Sequence, residues 1–199
     1  MLDRKKRSIA VIGSGHLAET TFCAARERGW SPEAFLDALL IQPPSSSEPA
    51  FDIFFFAEDV LDHDDVPALQ SAFATAVAAA HGHLAPLVLL SQVPPGTTRA
   101  WVDALPDGTH DDIFYMVDTI IVESAVARMV RPEQVVVGCY DAREYLPLIL
   151  QEYLVGLQCP IMKMSYESAE LAKCMINVAL ARQVAFANDG SRVALAVDA

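Results

Sequence analysis

Short apolar strands alternating with helices, a glycine turn between the first strand and first helix, and a long uninterrupted helix near the C-terminus predict an α/β fold. Near-continuous apolar strands need cover on both faces, so the sheet is expected to be doubly wound and mainly parallel. At 199 residues and 53% hydrophobic content, the chain holds one sizeable core and an appendage. We read residues 1–165 as one domain and residues 166–199 as a helix that leaves it.

Ile9 to Ile12 is a β-branched run that meets Gly13-Ser14-Gly15, after which His16 to Arg28 reads as a helix ending at Gly29. Ala38 to Ile41 is the candidate second strand, followed by a loop over residues 42–50, QPPSSSEPA, where proline lacks the amide donor and serine competes for backbone bonds. Phe51 to Ala57 is the next buried strand, Val66 to Ala80 an alanine-rich helix, and Leu87 to Ser91 a strand closed by Pro94-Pro95-Gly96. Thr97 or Thr98 is placed to cap a short helix through Ala104. Strands are expected at Ile113 to Val117, Gln134 to Gly138 and Ile161 to Met164, with a helix at Ala142 to Leu157 between the last two. The final helix, Tyr166 to about Ala187, has no Gly or Pro and is apolar on more than one face, with Ser168 as a cap if it begins late. One domain covers one side of such a helix, and a second subunit is the natural cover for the other.

A formal net charge of -12 disfavours nucleic acid and anionic membranes, because the summed field repels phosphate except at a locally positive pocket. No stretch approaches the ~20 apolar residues of a membrane span, and Ile9 to Ile12 is too short for a signal peptide, so the expected compartment is the cytoplasm. Cys23, Cys139, Cys159 and Cys174 lie far apart, without metal-ligand spacing, and read as reduced packing thiols. His63 among Asp62, Asp64 and Asp65, His110 with Asp111 and Asp112, and His81 with His83 beside Gly82 read as solvated turns or loops.

The turn Gly13-Ser14-Gly15-His16-Leu17-Ala18 is a GxGxxA pattern with a strand before it and a helix after it, the setting of a Rossmann-type dinucleotide fingerprint. Gly13 permits the tight turn, Gly15 lets backbone approach a pyrophosphate, Ala18 allows close helix packing, and the helix amides favour phosphate. The alternative is a purely structural turn. The acid expected about 20 residues on, to hold the ribose hydroxyls, is not found at the end of Ala38 to Ile41, which runs into Gln42; Glu33 and Asp37 precede that run.

Three segments in order, IAVIGSGHLA at 9–18, LVLLSQVPPGTTRAW at 87–101 and SAELAKCMINVALARQVAFAND at 168–189, resemble the UDP-glucose/GDP-mannose dehydrogenase family. A fainter match, VESAVARMVRPEQVVVG at 122–138, resembles the segment after that family's Pro-Glu-Phe-Leu motif. The resemblance implies an NAD-binding domain, a nucleotide-sugar substrate and a homodimer formed through the central helix. It implies cofactor contacts from Gly13, Ser14, Gly15, His16, Leu17, Ala57, Ser91, Gln92 and Glu123, and a catalytic role for Lys173 and Asn177. Those two residues stand four apart, on one helix face, where an ammonium and an amide can converge on one oxyanion or water. The bland alternative pairs Lys173 with Glu170 on an exposed helix side.

The departures are as informative. Gln92 stands where the family has a threonine, Val117-Asp118-Thr119-Ile120 replaces Pro-Glu-Phe-Leu, and Val122 falls where a glutamate is expected, with Glu123 one place later. Glu58-Asp59-Val60 replaces a Gly-Thr-Pro turn, and two carboxylates beside a pyrophosphate cost affinity by repulsion unless they point away. The family's nucleophilic cysteine and nucleotide-sugar domain are expected beyond Ala199, and Cys174 is no substitute for that thiolate. Two readings therefore stand: the cofactor domain of a nucleotide-sugar dehydrogenase, incomplete for catalysis on its own, or a degenerate non-catalytic module acting in nucleotide binding or dimerisation. A relative of the 6-phosphogluconate or 3-hydroxyisobutyrate dehydrogenases is a weaker third, opposed by the VPPGTT segment.

Overall fold

The computed structural model describes residues 7–41, 50–60, 66–106, 112–117, 124–143 and 145–198. Its strands are β1 (Ser8–Ile12), β2 (Ser31–Phe35), β3 (Ile53–Phe56), β4 (Leu87–Leu89), β5 (Ile113–Val117), β6 (Val135–Cys139) and β7 (Ile161–Ser165). They form one sheet in the order β2-β1-β3-β4-β5-β6-β7. Every neighbouring pair is parallel except β5 with β6. The helices are α1 (Gly15–Glu27), α2 (Val66–Gly82), α3 (Thr97–Asp103), α4 (Ala125–Val130), α5 (Leu148–Val155) and α6 (Tyr166–Ala196). This is the expected Rossmann-type doubly wound sheet, and the order reverses at β1, with α1 leading to β2 on one side and β3 pairing on the other.

Alternation along each strand explains why the strands read as unbroken apolar runs. Ala10, Ile12, Phe54, Phe56, Leu87 and Leu89 face one layer, with Phe73 and Ala76 of α2, Trp101 and Val102 of α3, and Tyr166 and Ala169 of α6. Ile9, Val11, Ile53, Phe55 and Val88 face the other, with Ala24 and Ala25 of α1, Met129 of α4, and Leu150 and Leu154 of α5. Phe54, Phe55 and Phe56 are each fully buried, and burying a phenylalanine contributes about 1.5–3 kcal/mol.

Three boundaries differ from expectation. The second strand is Ser31–Phe35, and Ala38–Leu40 is a short 3-10 turn instead of a strand. Because β2 lies at the sheet edge, its Ser-Pro-Glu-Ala-Phe sequence is only partly covered, and a proline is tolerated where one side of the strand needs no donor. The helix expected over Ala142 to Leu157 is the shorter Leu148–Val155, because Pro147 disfavours helical backbone before it and so fixes the start. The last helix runs on from Ala187 to Ala196, through Gly190, and its start is capped by Ser165, whose Oγ accepts the Ser168 amide. The loop at 42–49 lies outside the described residues.

Only the first turns of α6 dock on the sheet. Tyr166, Ala169, Glu170 and Lys173 are buried, and the Tyr166 hydroxyl donates to the Ile113 carbonyl at 2.6 Å. The contact depends on Gly138 of β6: a Cβ there would stand 3.0 Å from the Ala169 Cβ, 3.1 Å from the Tyr115 Cβ and 3.2 Å from the Tyr166 Cα. None of those atoms belongs to a flexible side-chain end, so the helix itself would have to move. Gly138→Ala is expected to lose about 1–3 kcal/mol in urea unfolding. Gly190→Ala, on the open part of the same helix where a Cβ meets nothing within 4 Å, should instead gain about 0.5–1 kcal/mol. Equal effects from the two would remove Gly138 as the seat of α6.

Candidate functional site

The glycine turn lies at the carboxyl end of β1, beside the loop that leaves β3, the crevice in which open α/β sheets place their ligands. Gly13 (φ 137°) and Gly15 (φ 82°) both occupy backbone that other residues rarely adopt. A Cβ on Gly13 would strike the Ala57 carbonyl, and one on Gly15 would strike the Asp59 carboxylate. Ala57 is held by its amide to the Ile12 carbonyl at 2.8 Å, and the Glu58 amide donates to the buried Ser91 Oγ at 2.8 Å. The β3 loop is therefore rooted in the sheet before its acidic residues begin.

Those acidic residues turn into the glycine turn. Glu58 Oε2 accepts the Ser14 amide at 3.0 Å and the Ser14 hydroxyl at 2.8 Å. Asp59 accepts the His16 amide on Oδ2 at 2.7 Å and the Leu17 amide on Oδ1 at 3.1 Å. Helix α1 has no side-chain cap of its own, since Ser14 makes no capping bond. Its orphan amides and positive end are satisfied by carboxylates 42 to 44 residues away. The sequence had allowed these carboxylates to point away; they point in. In this conformation the turn does not fit a pyrophosphate, because the amides that would bind it are already donated and two negative charges stand in its place.

An acidic residue does follow the second strand of the sheet. With β2 ending at Phe35, Asp37 lies two residues beyond that strand, where Ala38 to Ile41 had seemed to leave only Gln42. Its carboxylate is used locally, accepting the Leu39 amide at 2.9 Å.

A second helix start is capped in the same way. Neither Thr97 nor Thr98 caps α3: the position before it is Gly96, and no side chain of the segment bonds the free amides. Glu170, fully buried on α6, accepts the amide of Gly96 on Oε2 and that of Thr98 on Oε1, the latter at 2.7 Å. The exposed helix side of the alternative reading is not what the structure has: Glu170 and Lys173 are both buried, and Glu170 faces α3. Burial pushes the Glu170 carboxyl above its ordinary value, offset in part by its bonds to Thr98 and Gly96.

Beside it, Arg99 bonds Glu167 at 2.8 Å and the Tyr140 carbonyl at 2.9 Å. Its guanidinium lies 4.3 Å from the Tyr140 ring centroid and 5.3 Å from that of Tyr166. The Arg99 hydrogen bond holds Glu167 well down, at about 2.

Lys173 and Asn177 stand one turn apart where α6 leaves the sheet, and the Asn177 amide donates to Gln92 Oε1 at 2.9 Å. Gln92, Lys173 and Asn177 thus belong to one end of the sheet, but the amide of Asn177 is engaged with the substituted Gln92. Ser14, Gly15 and His16 are exposed at the turn and Leu17 is buried. Ala57 and Ser91 are buried and serve as the root of the β3 loop. Glu123 lies outside the described residues, as do Asp118, Thr119, Val122, Asp62, His63, Asp64, Asp65, His110 and Asp111. Among the described residues, no helix is long and apolar enough to cross a membrane and no group of three or more His, Cys, Asp or Glu could hold a metal ion. The four cysteines form no disulfide.

No protein-family model matches the sequence, and no curated protein matches it. Solved structures do match. A UDP-glucose dehydrogenase from the hyperthermophilic archaeon Pyrobaculum islandicum superposes with a TM-score of 0.68 at 18% identity, over 95% of this chain and 54% of that one. A ternary complex of GDP-mannose dehydrogenase from Pseudomonas aeruginosa gives 0.71 at 19%, over 90% and 51%. An imine reductase variant from Myxococcus stipitatus, in complex with NAD+, gives 0.55 at 13%, over 96% and 65%. At these identities the likeness shows the fold, and the chain spans about half the length of the first two enzymes.

The Arg99–Glu167 bond has a definite pH signature. A carboxyl depressed in the folded state contributes stability above its ordinary value near 4.5, and loses it as pH falls toward the folded value of about 2. Glu167 is 43% exposed, so the contribution is modest, up to about 1 kcal/mol. Glu167→Gln should lower the unfolding midpoint at pH 6, and its gap to the parent chain should close as pH drops from 4.5 toward 2. A gap unchanged with pH would assign the loss to packing. Glu170→Ala should cost more, about 2–4 kcal/mol, because it leaves two helix-start amides without their acceptor; chemical unfolding measures it.

Proposed function

We propose that this chain is a Rossmann module of the nucleotide-sugar dehydrogenase type that pairs with a second copy of itself through α6 and does not oxidise a nucleotide sugar alone. The observation that carries the reading is the state of α6 beyond Lys173. The helix has 31 residues, a length of about 46 Å, yet its buried residues end at Lys173. Leu180, Val184, Phe186, Val193 and Leu195 are 51–82% exposed. An isolated helix is marginal in water and takes most of its stability from an apolar face packed against something. A second copy supplies that face with one symmetric contact, each helix covering the other.

A working cofactor domain of such a dehydrogenase is the second reading, and one observation favours it. Lys173 and Asn177 share a helix face at the carboxyl end of the sheet, a spacing suited to stabilising a developing oxyanion on a sugar carbinol. The nicotinamide dinucleotide NAD is the cofactor that goes with this reading, and a nucleotide sugar the substrate. The turn as it stands weighs against it, since its amides are occupied.

Sedimentation equilibrium of the intact chain is expected to give a dimer, and the double variant Val184→Glu, Phe186→Glu to give a monomer with its circular dichroism preserved. A monomeric parent chain would overturn the assembly role. In parallel, the chain incubated with NAD and UDP-glucose should form no NADH; turnover abolished by Lys173→Ala would establish the second reading instead.

A further inference from the structure

We propose that Glu58 and Asp59 are an internal competitor for the phosphate seat of the glycine turn, a latch that keeps dinucleotides out while it is closed. The proposal rests on reading the chain as a module of the dinucleotide-binding type and adds what controls that site. The two carboxylates take the amides of Ser14, His16 and Leu17 and the Ser14 hydroxyl. These are the donors that a strand–turn–helix of this kind offers to a diphosphate. The clearance that only glycine provides at position 15 is used by the Asp59 carboxylate, as a bound phosphate would use it.

The latch is preorganised. Its root is fixed by the Ala57 amide on Ile12 and the Glu58 amide on buried Ser91. The carboxylates therefore reach the turn without the entropy cost that a free ligand carries. A dinucleotide must displace both, and if they remain nearby its diphosphate meets two like charges. The latch is also accessible, because Asp59 and Ser14 are exposed and Glu58 only half-buried. Displacement from solvent needs no opening of the core.

The experiment is titration calorimetry of the intact chain and two double variants with ADP-ribose, which carries the diphosphate without nicotinamide, and with adenosine, which lacks the diphosphate. Glu58→Ala with Asp59→Ala removes the latch. Glu58→Gln with Asp59→Asn keeps its volume and removes its charge, and serves the same comparison if the alanine pair does not fold. The expected result is no saturable ADP-ribose binding to the intact chain below about 1 mM. Affinity should rise by roughly tenfold or more in the alanine variant and by less in the amide variant, with adenosine unaffected throughout. If the intact chain binds ADP-ribose as well as the variants do, the latch is overturned and the dinucleotide-type reading stands. If the folded variants bind no better than an equally inert parent, the latch falls together with that reading.

Discussion

The carboxyl end of this sheet is organised by one constraint: backbone amides at helix starts must find acceptors. Helices α1 and α3 both begin there without a side-chain cap of their own. Each is satisfied by carboxylates from a distant part of the chain, Glu58 and Asp59 for α1 and Glu170 for α3. A charged acceptor on a helix start is a strong hydrogen bond as well as a favourable partner for the helix dipole. These bonds also set the tertiary structure. Asp59 ties the β3 loop to the glycine turn, and Glu170 ties the base of α6 to the Pro-Pro-Gly-Thr-Thr loop. Gly138 gives α6 the close approach to β6 that brings Glu170 into reach.

Much of the fold was legible because its strands are buried on both faces. Runs such as Ile-Phe-Phe-Phe in β3 bury every residue, so periodicity is replaced by an apolar run that sequence alone can locate. The same logic failed at β2, where the strand lies at an edge and its sequence carries serine, proline and glutamate in place of an apolar run. The Ala-Leu-Leu that follows is more apolar and reads as the strand instead, although Leu39 and Leu40 are 75% and 61% exposed. That displacement concealed Asp37 as the acid following the second strand. The shortened α5 has a different cause, since Pro147 disfavours helical backbone before it and sets the start of the helix at Leu148.

The candidate site was legible as a set of residue types and not as a set of contacts. Gly13, Gly15, Gln92, Lys173 and Asn177 were singled out, and Gln92 and Asn177 do meet. Glu58 and Asp59 were recognised as acidic residues in an unfavourable place, but their direction depends on how the β3 loop leaves Ser91, which is a tertiary fact. Glu170 entered the sequence reading only as the surface partner of Lys173 in the alternative to a catalytic lysine, because i and i+3 residues are neighbours on a helix. The structure buries it against α3, where it accepts the amides of Gly96 and Thr98. Local candidates, Ser14 before α1 and Thr97 or Thr98 at α3, hide both distant caps from a reading of the sequence.

The glycine motif itself changes meaning in this light. Its two glycines are required here with no ligand invoked, Gly13 by the Ala57 carbonyl and Gly15 by the Asp59 carboxylate. The pattern therefore reports a close approach to the start of α1 and leaves open what makes it. In a chain with a formal net charge of -12, a free helix start is a locally positive place, and an internal carboxylate reaches it at a far higher effective concentration than a dissolved phosphate. Turning such a motif into a cofactor site thus requires something beyond the glycines: a β3 loop that keeps acidic side chains away. This chain has Glu58 and Asp59 at that position, and so the same turn that could cradle a diphosphate becomes a joint that holds the fold together.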